Sequence, residues 1–428
     1  MKPAALTASA FFALILLCLA VLLPSGVGAR PAQQPAQQPA QEWSQWRGPA
    51  RDGVATGVSL PETWPADLQR LWQVEVGAGY SSPIVSEGRV YIFSRQGEEE
   101  FVRALDLEAG SEIWSYSYEA PYELDYAART HGMGPKSTPV LADGRICTFG
   151  ISGVLSCLDA ESGEVLWQNH SAREFTPASP VYGVAMSPAV VDGLLVVHLG
   201  GTRGGALIAL DPATGAVAWR WVGDGPGYAS PVLVEIAGER QLVTQSQGHI
   251  IGVSPADGEN LWQIPFTTPY DQNIVTPLVV GERLILSGLE QSTVAIELEK
   301  DGGAWSTKEV WSNDRLPMYM SSPVLVGDRL FGFSNMRRGQ FFCLDTETGE
   351  AIWSAEGRQG DNAALVVADG RVLALTSEAE LFVIDPTAAE FLPVARYDVA
   401  DSATYAHPVP TGRGVLIKDG STLALWGW

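Results

Sequence analysis

The sequence predicts an all-β fold: an eight-bladed β-propeller of four-stranded antiparallel blades, closed by an N-terminal outer strand that completes the C-terminal blade. Three observations predict it. The first is a skeleton that recurs at Asp106/Gly110/Trp114, Asp159/Gly163/Trp167, Asp211/Gly215/Trp219 and Asp345/Gly349/Trp353, and again with Ser for Asp at Ser254/Gly258/Trp262. The second is a series of strand openings, most of them Ser/Thr-Pro or a similar pair. They fall at Pro83, Pro139, Pro188, Pro231, Pro277, Pro323, Ala364 and Pro408, 41 to 56 residues apart, which suits four short strands per unit. The third lies in the two ends. After Pro408 the chain supplies three strands and stops, while residues 71–76 form an outer strand with no blade before it. Joining the two pairs both exposed edges.

Residues 1–29 read as an export signal: Lys2, an apolar run over 11–23, then the small residues Val27, Gly28 and Ala29 before Arg30. The competing reading is an uncleaved anchor, since the run approaches the length of a membrane span. Cys18 sits mid-run without the small residue expected ahead of a lipid-bearing cysteine. Residues 30–42, rich in Pro, Gln and Ala, form a linker that cannot bury a core. Residues 43–67, with Trp43, Trp46 and a turn-rich tail, read as a strap docked on the body rather than an aromatic binding lip. The propeller spans 68–428.

One unit shows the internal logic. Residues 323–326 form strand A and Gly327-Asp328 a turn; residues 330–334 form strand B. Strand C is 340–345, and strand D follows the turn over 346–349. Proline can open strand A because a first residue need not donate to the ladder. Asp at the C–D turn can bond its own backbone, and Gly supplies positive φ. Trp72, Trp114, Trp167, Trp219, Trp262, Trp311 and Trp353 then form a ring of inter-blade clamps, one per stacked unit. The rival reading, an aromatic electron relay, does not explain that spacing. Blade seven follows Asp385 with Ala389 and Pro393 and lacks a Trp, so it is expected to be the least clamped. Blade five is expected to carry a longer turn through 301–303.

Composition narrows the function. The chain carries 27 Lys and Arg against 49 Asp and Glu, a formal net charge of −22. Such a surface repels nucleic acid and anionic lipid. Cys157 and Cys343 occupy the slot that holds Ala104 and Ala209 in other units, so they read as small buried residues. A Cys147–Cys157 bond across one hairpin is the alternative. No CxxC pair occurs and the five histidines show no ligand spacing, so no metal site is expected.

The Ala-x-Asp-x-x-x-Gly-x-x-x-Trp unit resembles the tryptophan-docking repeat of the pyrroloquinoline-quinone (PQQ)-repeat propellers. That superfamily includes quinoprotein alcohol dehydrogenases and the BamB-like propellers of outer-membrane protein assembly. The resemblance covers 68–428. The Trp43-x-x-Trp46-Arg-Gly-Pro-x-Arg-Asp-Gly53 opening and the segment from Gly132 to Pro139 resemble a branch of exported PQQ-like propellers. The repeat implies the fold; it is a structural device and does not imply the cofactor. A quinoprotein dehydrogenase would use PQQ with calcium or a lanthanide, an acidic base and adjacent cysteines, and this sequence has no adjacent cysteines. The resemblance therefore implies a non-catalytic, periplasmic or extracellular, monomeric scaffold with a protein partner in the cell envelope and no cofactor. The alternatives are a PQQ-dependent dehydrogenase and a small-ligand or glycan binder using the central channel.

The third reading names residues. Strand A should be innermost, so the residue three before each opening should face the channel mouth. That slot holds Tyr80, Lys136, Ala185, Tyr228, Ile274, Met320, Asp361 and Tyr405. Asn273 and Tyr319 join it one position earlier, and Arg129 and His131 precede Lys136 on the longest segment between openings. Tyrosines with one Lys and one Asp make a polar-aromatic ring able to hold a ligand. The bland counterpart is that the tyrosines wedge the inner strands and Lys136 pairs with a carboxylate. Arg203, in a Gly-rich hairpin turn, and Arg337-Arg338 read as solvated tips.

Overall fold

Burial on both sides decides the composition of the inner strands. In blade three, Ala189–Val191, Leu194–Gly201, Gly204–Leu210 and Val217–Gly223 form an antiparallel sheet in chain order, strands A to D. Strands B and C are buried along nearly their whole length, because neighbouring blades cover both faces; they read as continuous apolar runs. Strand D lies outermost and keeps only Trp219 buried. The computed structural model describes residues 42–428, and eight such sheets follow one another along the chain. The export signal, and all but the last residue of the linker, lie outside the described residues. No helix among the described residues is long and apolar enough to cross a membrane.

The ring closes through its ends. Gln69–Glu75 pairs antiparallel with Thr422–Gly427, from Gln69 opposite Gly427 to Glu75 opposite Thr422, and completes blade eight. Blade five extends its C–D hairpin over Gln291–Asp301 and Ala304–Asn313, turning at Gly302 and Gly303.

The C–D turn and the Trp work as one joint. In blade three, Asp211 Oδ1 accepts the Ala213 N–H at 2.7 Å, and the Asp211 carbonyl accepts the Gly215 N–H at 2.8 Å. Gly215 has φ +71, and a Cβ there would lie 2.9 Å from the Trp167 ring of blade two. The indole therefore lies flat on a backbone that has no side chain. Its Nε1 donates to the Pro212 carbonyl at 2.9 Å. The same bond joins Trp72 to Leu107, Trp114 to Ala160, Trp219 to Pro255 and Trp311 to Thr346. One extra residue precedes Trp219 in strand D, since pairing passes from Ala209–Trp219 to Leu210–Val217. Such a bulge increases local twist and re-aims the next side chain.

The turn glycines do more than their spacing predicts, since each lies against the indole of the preceding blade. Gly110 and Gly349 are expected only to supply positive φ, and they do so at +70 and +69. Both are also buried, which corrects their reading as turn residues alone. The Trp72 indole covers Gly110, where a Cβ would lie 2.7 Å from the ring, and the Trp311 indole covers Gly349 in the same way. The indole of the preceding blade removes these glycines from solvent, so they form the floor of the joint and present nothing to a ligand.

The joint fails where the next blade lacks the Asp- or Ser-x-x-x-Gly turn. Trp262 faces blade five and turns back to Gln241 Oε1 of its own blade. Trp353 faces blade seven, and its buried Nε1 has no partner among the described residues. Phe391 stacks there instead, 5.4 Å from Phe341 and 5.5 Å from Trp353. The seam between blades seven and eight is covered by the strap. Trp64 packs on Tyr397 and Trp428, and the Tyr397 hydroxyl donates to the Pro65 carbonyl at 2.7 Å. Blade seven thus lacks the Trp joint, as expected, and aromatics outside the Asp–Gly–Trp pattern pack at both of its seams.

The strap does more than cover a seam. Trp43 is fully buried and pairs its backbone with Val85; Val54–Ala55 adds a parallel fifth strand to Ala363–Ala368 of blade seven. Between these points Arg47 donates to the Ser322 and Pro323 carbonyls, and Arg51 to the Ser187 and Pro188 carbonyls. Two buried guanidiniums so tie the strap to the strand A openings of blades six and three. Burial lowers their pKa values to about 10 and about 9.

The residue before each strand A opening forms a second belt. The N–H of Ser82 donates to the Thr138 hydroxyl, Thr138 to Ser187, Ser187 to Ser230, Ser230 to Thr276 and Thr276 to Ser322; His407 donates to Ser82. Each hydroxyl caps an inner-strand donor of the preceding blade that would otherwise be buried unpaired. Blade seven, with Ala363 in that place, breaks the belt.

Cys147 and Cys157 form a disulfide, which corrects their reading as independent buried residues. They sit directly opposite on strands B and C of blade two, a juxtaposition that the slot shared with Ala104 and Ala209 conceals. Cys343 is free and buried.

Candidate functional site

The inner ends of the A strands converge on a cavity of about 80 Å3 at the channel mouth. It is lined by His131, Lys136, Tyr182, Ala185, Tyr228, Gln272, Ile274, Tyr319 and Met320. Below it a chamber of about 120 Å3 continues inward past Tyr80 and Tyr405 to the hydroxyl belt. Trp46 and His407 line its far end. Lys136, Ala185, Tyr228, Ile274 and Met320 line both spaces. Trp46 meets His407 edge-on at 5.4 Å, with Arg47 and Arg51 each 5.5 Å from its ring. The strap therefore contributes a side chain to the channel itself.

Of the slot three before each opening, the structure brings Tyr80, Lys136, Ala185, Tyr228, Ile274, Met320 and Tyr405 together. Tyr319 lines the mouth and donates to Gln272 Oε1 at 2.6 Å. His131 ends a short 3-10 turn, Tyr126–His131, and meets Tyr182 edge-on at 5.6 Å. Three expected residues lie elsewhere. Asp361 is solvent-exposed and paired with Arg358 at 2.8 Å, because the same arginine also binds Glu378 and holds the segment outward. Asn273 is fully buried; its Nδ2 donates to the carbonyls of Ser246, Gln247 and Phe266, fixing the loop before strand A of blade five. Arg129 is exposed and lies over Tyr126 at 4.3 Å. Sequence reasoning missed Tyr182, Gln272, Trp46 and His407 as channel residues. Tyr182 and Gln272 stand outside the slot; Trp46 enters from the strap, where no repeat position marks it.

Lys136 is not paired with a carboxylate. Its Nζ donates to the Tyr182 carbonyl at 2.7 Å, and no Asp or Glu among the described residues lines either space. Burial lowers its pKa to about 8. The same desolvation, with Lys136 beside it, lowers that of His131. Burial pushes Tyr80, Tyr228, Tyr319 and Tyr405 upward, so these phenols stay neutral. His407 is held at about 3 and is neutral at any ordinary pH; its buried Nε2 has no partner among the described residues. The walls are otherwise aromatic and aliphatic. Such an arrangement favours a small guest with an apolar body and an acceptor group. It does not suit a hard divalent cation, which takes oxygen ligands and would face an ammonium here.

Two other polar clusters carry different chemistry. Asp224 Oδ2 accepts from Ser246 Oγ at 2.8 Å and meets His249 Nδ1 at 2.6 Å. The serine and the histidine bind the same oxygen rather than each other, so the imidazole does not stand on the hydroxyl and no Ser–His pair is formed. Glu100 is fully buried between blades one and two. It accepts from the Tyr118 hydroxyl at 2.5 Å and the Ile151 N–H at 2.9 Å.

Comparison with known proteins places this geometry. The family model described as "Outer membrane protein assembly factor BamB" matches residues 98–355 and 308–392. The BamB of Yersinia pestis is 26% identical over 62% of this chain and 61% of its own length; the chain thus spans about three fifths of that relative. Quinohemoprotein alcohol dehydrogenase ADH IIB of Pseudomonas putida is 29% identical, over 38% of this chain and 22% of that enzyme. Among solved structures, BamB from Moraxella catarrhalis superposes with a TM-score of 0.61 at 15% identity, covering 85% of this chain and 98% of that one.

Proposed function

This chain belongs to the family of outer membrane protein assembly factor BamB, and from that premise we propose that it is an exported, non-catalytic scaffold of envelope assembly. The carrying observation is the family match, which runs through residues 98–392 and so across most of the ring. The partner is a protein of the envelope; a net charge of −22 disfavours nucleic acid and anionic lipid. The contact surface on this reading is the channel-mouth face. Tyr126 and Tyr270 are 78% and 79% exposed there, on the segments that also carry His131 and Gln272. Exposed tyrosines suit partner contacts, being large, stiff and amphipathic. We regard the PQQ-and-calcium dehydrogenase as the weaker reading: the channel lining is cationic, the strap's Trp46 occupies the channel, and the dehydrogenase match is partial.

The test is cross-linking in the source cells, with a photoreactive residue at Tyr126 or Tyr270 and a control at Val217 on an outer strand. The proposal expects cross-links to an outer-membrane assembly component from the mouth-face positions only. Absence of such a component, or equal capture from Val217, would sink it.

A further inference from the structure

The channel mouth holds a cation without a counter-charge in a protein that is otherwise acidic. The Lys136 ammonium has three protons, and the Tyr182 carbonyl takes one. The nearby polar groups are also set as donors. The Tyr228 hydroxyl oxygen accepts the Tyr182 N–H at 3.3 Å, which leaves its own proton to donate. Gln272 Oε1 is taken by the Tyr319 hydroxyl, which leaves its Nε2 to donate. Ile274, Met320 and Ala185 supply apolar wall beside these groups. A half-buried ammonium without a counter-charge is costly, and a chain that keeps one forgoes stability at that site.

From this juxtaposition of Lys136, Tyr228 and Gln272 in one cavity, we propose that the channel mouth is a binding site for a small monocarboxylate. Its carboxylate sits between Lys136 Nζ, the Tyr228 hydroxyl and Gln272 Nε2, and its apolar body lies against Ile274 and Met320. One cation matches one negative charge, so di- and tricarboxylates are disfavoured. A cavity of about 80 Å3 above a chamber of about 120 Å3 admits a guest of a few heavy atoms, or the carboxylate end of a longer one. The same chemistry is carried by a free acid and by the C-terminus of a peptide. This site does not depend on the scaffold reading.

Binding is also expected to depend on pH. The titratable groups that face Lys136 are His131, Tyr80, Tyr182, Tyr228, Tyr319, Tyr405 and, deeper, His407. With an amine of pKa about 8, an anion binds the protonated form, so affinity falls as pH rises above about 8.

The experiment is calorimetry on the folded protein with butyrate and benzoate, their neutral amides, and a tetrapeptide with a free or an amidated C-terminus. At pH 7 the expected result is one site for a carboxylate, with the matching amide at least about tenfold weaker, the loss of one charge-assisted bond. Lys136→Met is expected to abolish binding while raising the melting temperature, and Ala185→Phe to block the site with Lys136 in place. If only the free-terminus peptide binds, the source is a chain end and the site stands. Failure of every carboxylate at 10 mM, about tenfold above a millimolar dissociation constant, would overturn the proposal. So would equal binding by the amides, or unchanged binding in both variants. Failure of the cross-linking test leaves these outcomes unaffected, so the two readings fail separately.

Discussion

The joint between blades one and two can be tested by a matched pair of glycine substitutions in one blade. Gly144 and Gly163 both lie in turns of blade two, with φ +74 and +76. A Cβ on Gly144 would meet nothing within 4 Å, whereas a Cβ on Gly163 would lie 2.6 Å from Cδ2 and Cε3 of Trp114. Gly144→Ala therefore costs only the left-handed backbone, about 1–2 kcal/mol. Gly163→Ala costs the same and must also push the indole outward by about 1 Å to restore an ordinary carbon–carbon contact. That movement strains the Trp114 Nε1 bond to the Ala160 carbonyl, 3.1 Å long, worth about 0.5–1.5 kcal/mol. Forced repacking adds about 1–3 kcal/mol. Gly163→Ala should thus exceed Gly144→Ala by about 1.5–4.5 kcal/mol. In a Trp114→Ala background the two substitutions should cost the same. Urea unfolding followed by far-ultraviolet circular dichroism reads the four variants against their two parents. Equal losses for the two glycines with Trp114 present, or an undiminished Gly163 cost without it, would refute the clamp reasoning.

Three further outcomes follow from the packing. Reduction of Cys147–Cys157, or its replacement by alanines, should lower stability by about 2–3 kcal/mol, the chain-entropy value for a loop of this length (sequence separation 10); unchanged urea midpoints with and without reductant would contradict it. Burial raises the Glu100 carboxyl, so its contribution is full below the ordinary carboxylate range and is lost as pH rises through the raised value. Glu100→Gln should remove that loss, giving a gain over wild type that grows from pH 4 to pH 8; parallel stability curves would argue against it. Trp64→Ala should cost about 2 kcal/mol, less than a fully buried Trp, and should speed amide exchange in Pro393–Asp398 of blade seven; protection unchanged there would show that the strap does not hold the seam.

Periodicity makes the ring legible, and the exceptions to periodicity make the site hard to read. Tyr80, Lys136, Tyr228 and Tyr405 are reached by counting back from each strand opening, because the repeat fixes that position relative to the axis. The same count misplaces Asp361, since blade seven opens on Ala364 without the proline pair and Arg358 draws the segment outward. Arg129 and Asn273 enter by neighbourhood in sequence, which says nothing about direction: one turns to solvent and the other to three backbone carbonyls. Trp46 carries a visible signal, the two arginines that follow it in a turn-rich stretch. Those cations reach strand A carbonyls of blades three and six, more than 130 residues away in sequence.

Blade count, the closure of Gln69–Glu75 on Thr422–Gly427, and the Asp–Gly–Trp joint are all written in the chain alone. Each depends on spacing within a unit or on complementary ends, and local backbone preference acts over that range. Folding had to settle the rest. Trp262 and Trp353 lose the joint, Gly110 and Gly349 disappear beneath indoles of the preceding blades, Cys147 bonds Cys157, and the strap sends Trp46 into the channel. Lys136 likewise finds a carbonyl rather than a carboxylate. These outcomes depend on which groups meet across blades, and a buried charge takes whichever partner the packing brings within hydrogen-bond reach.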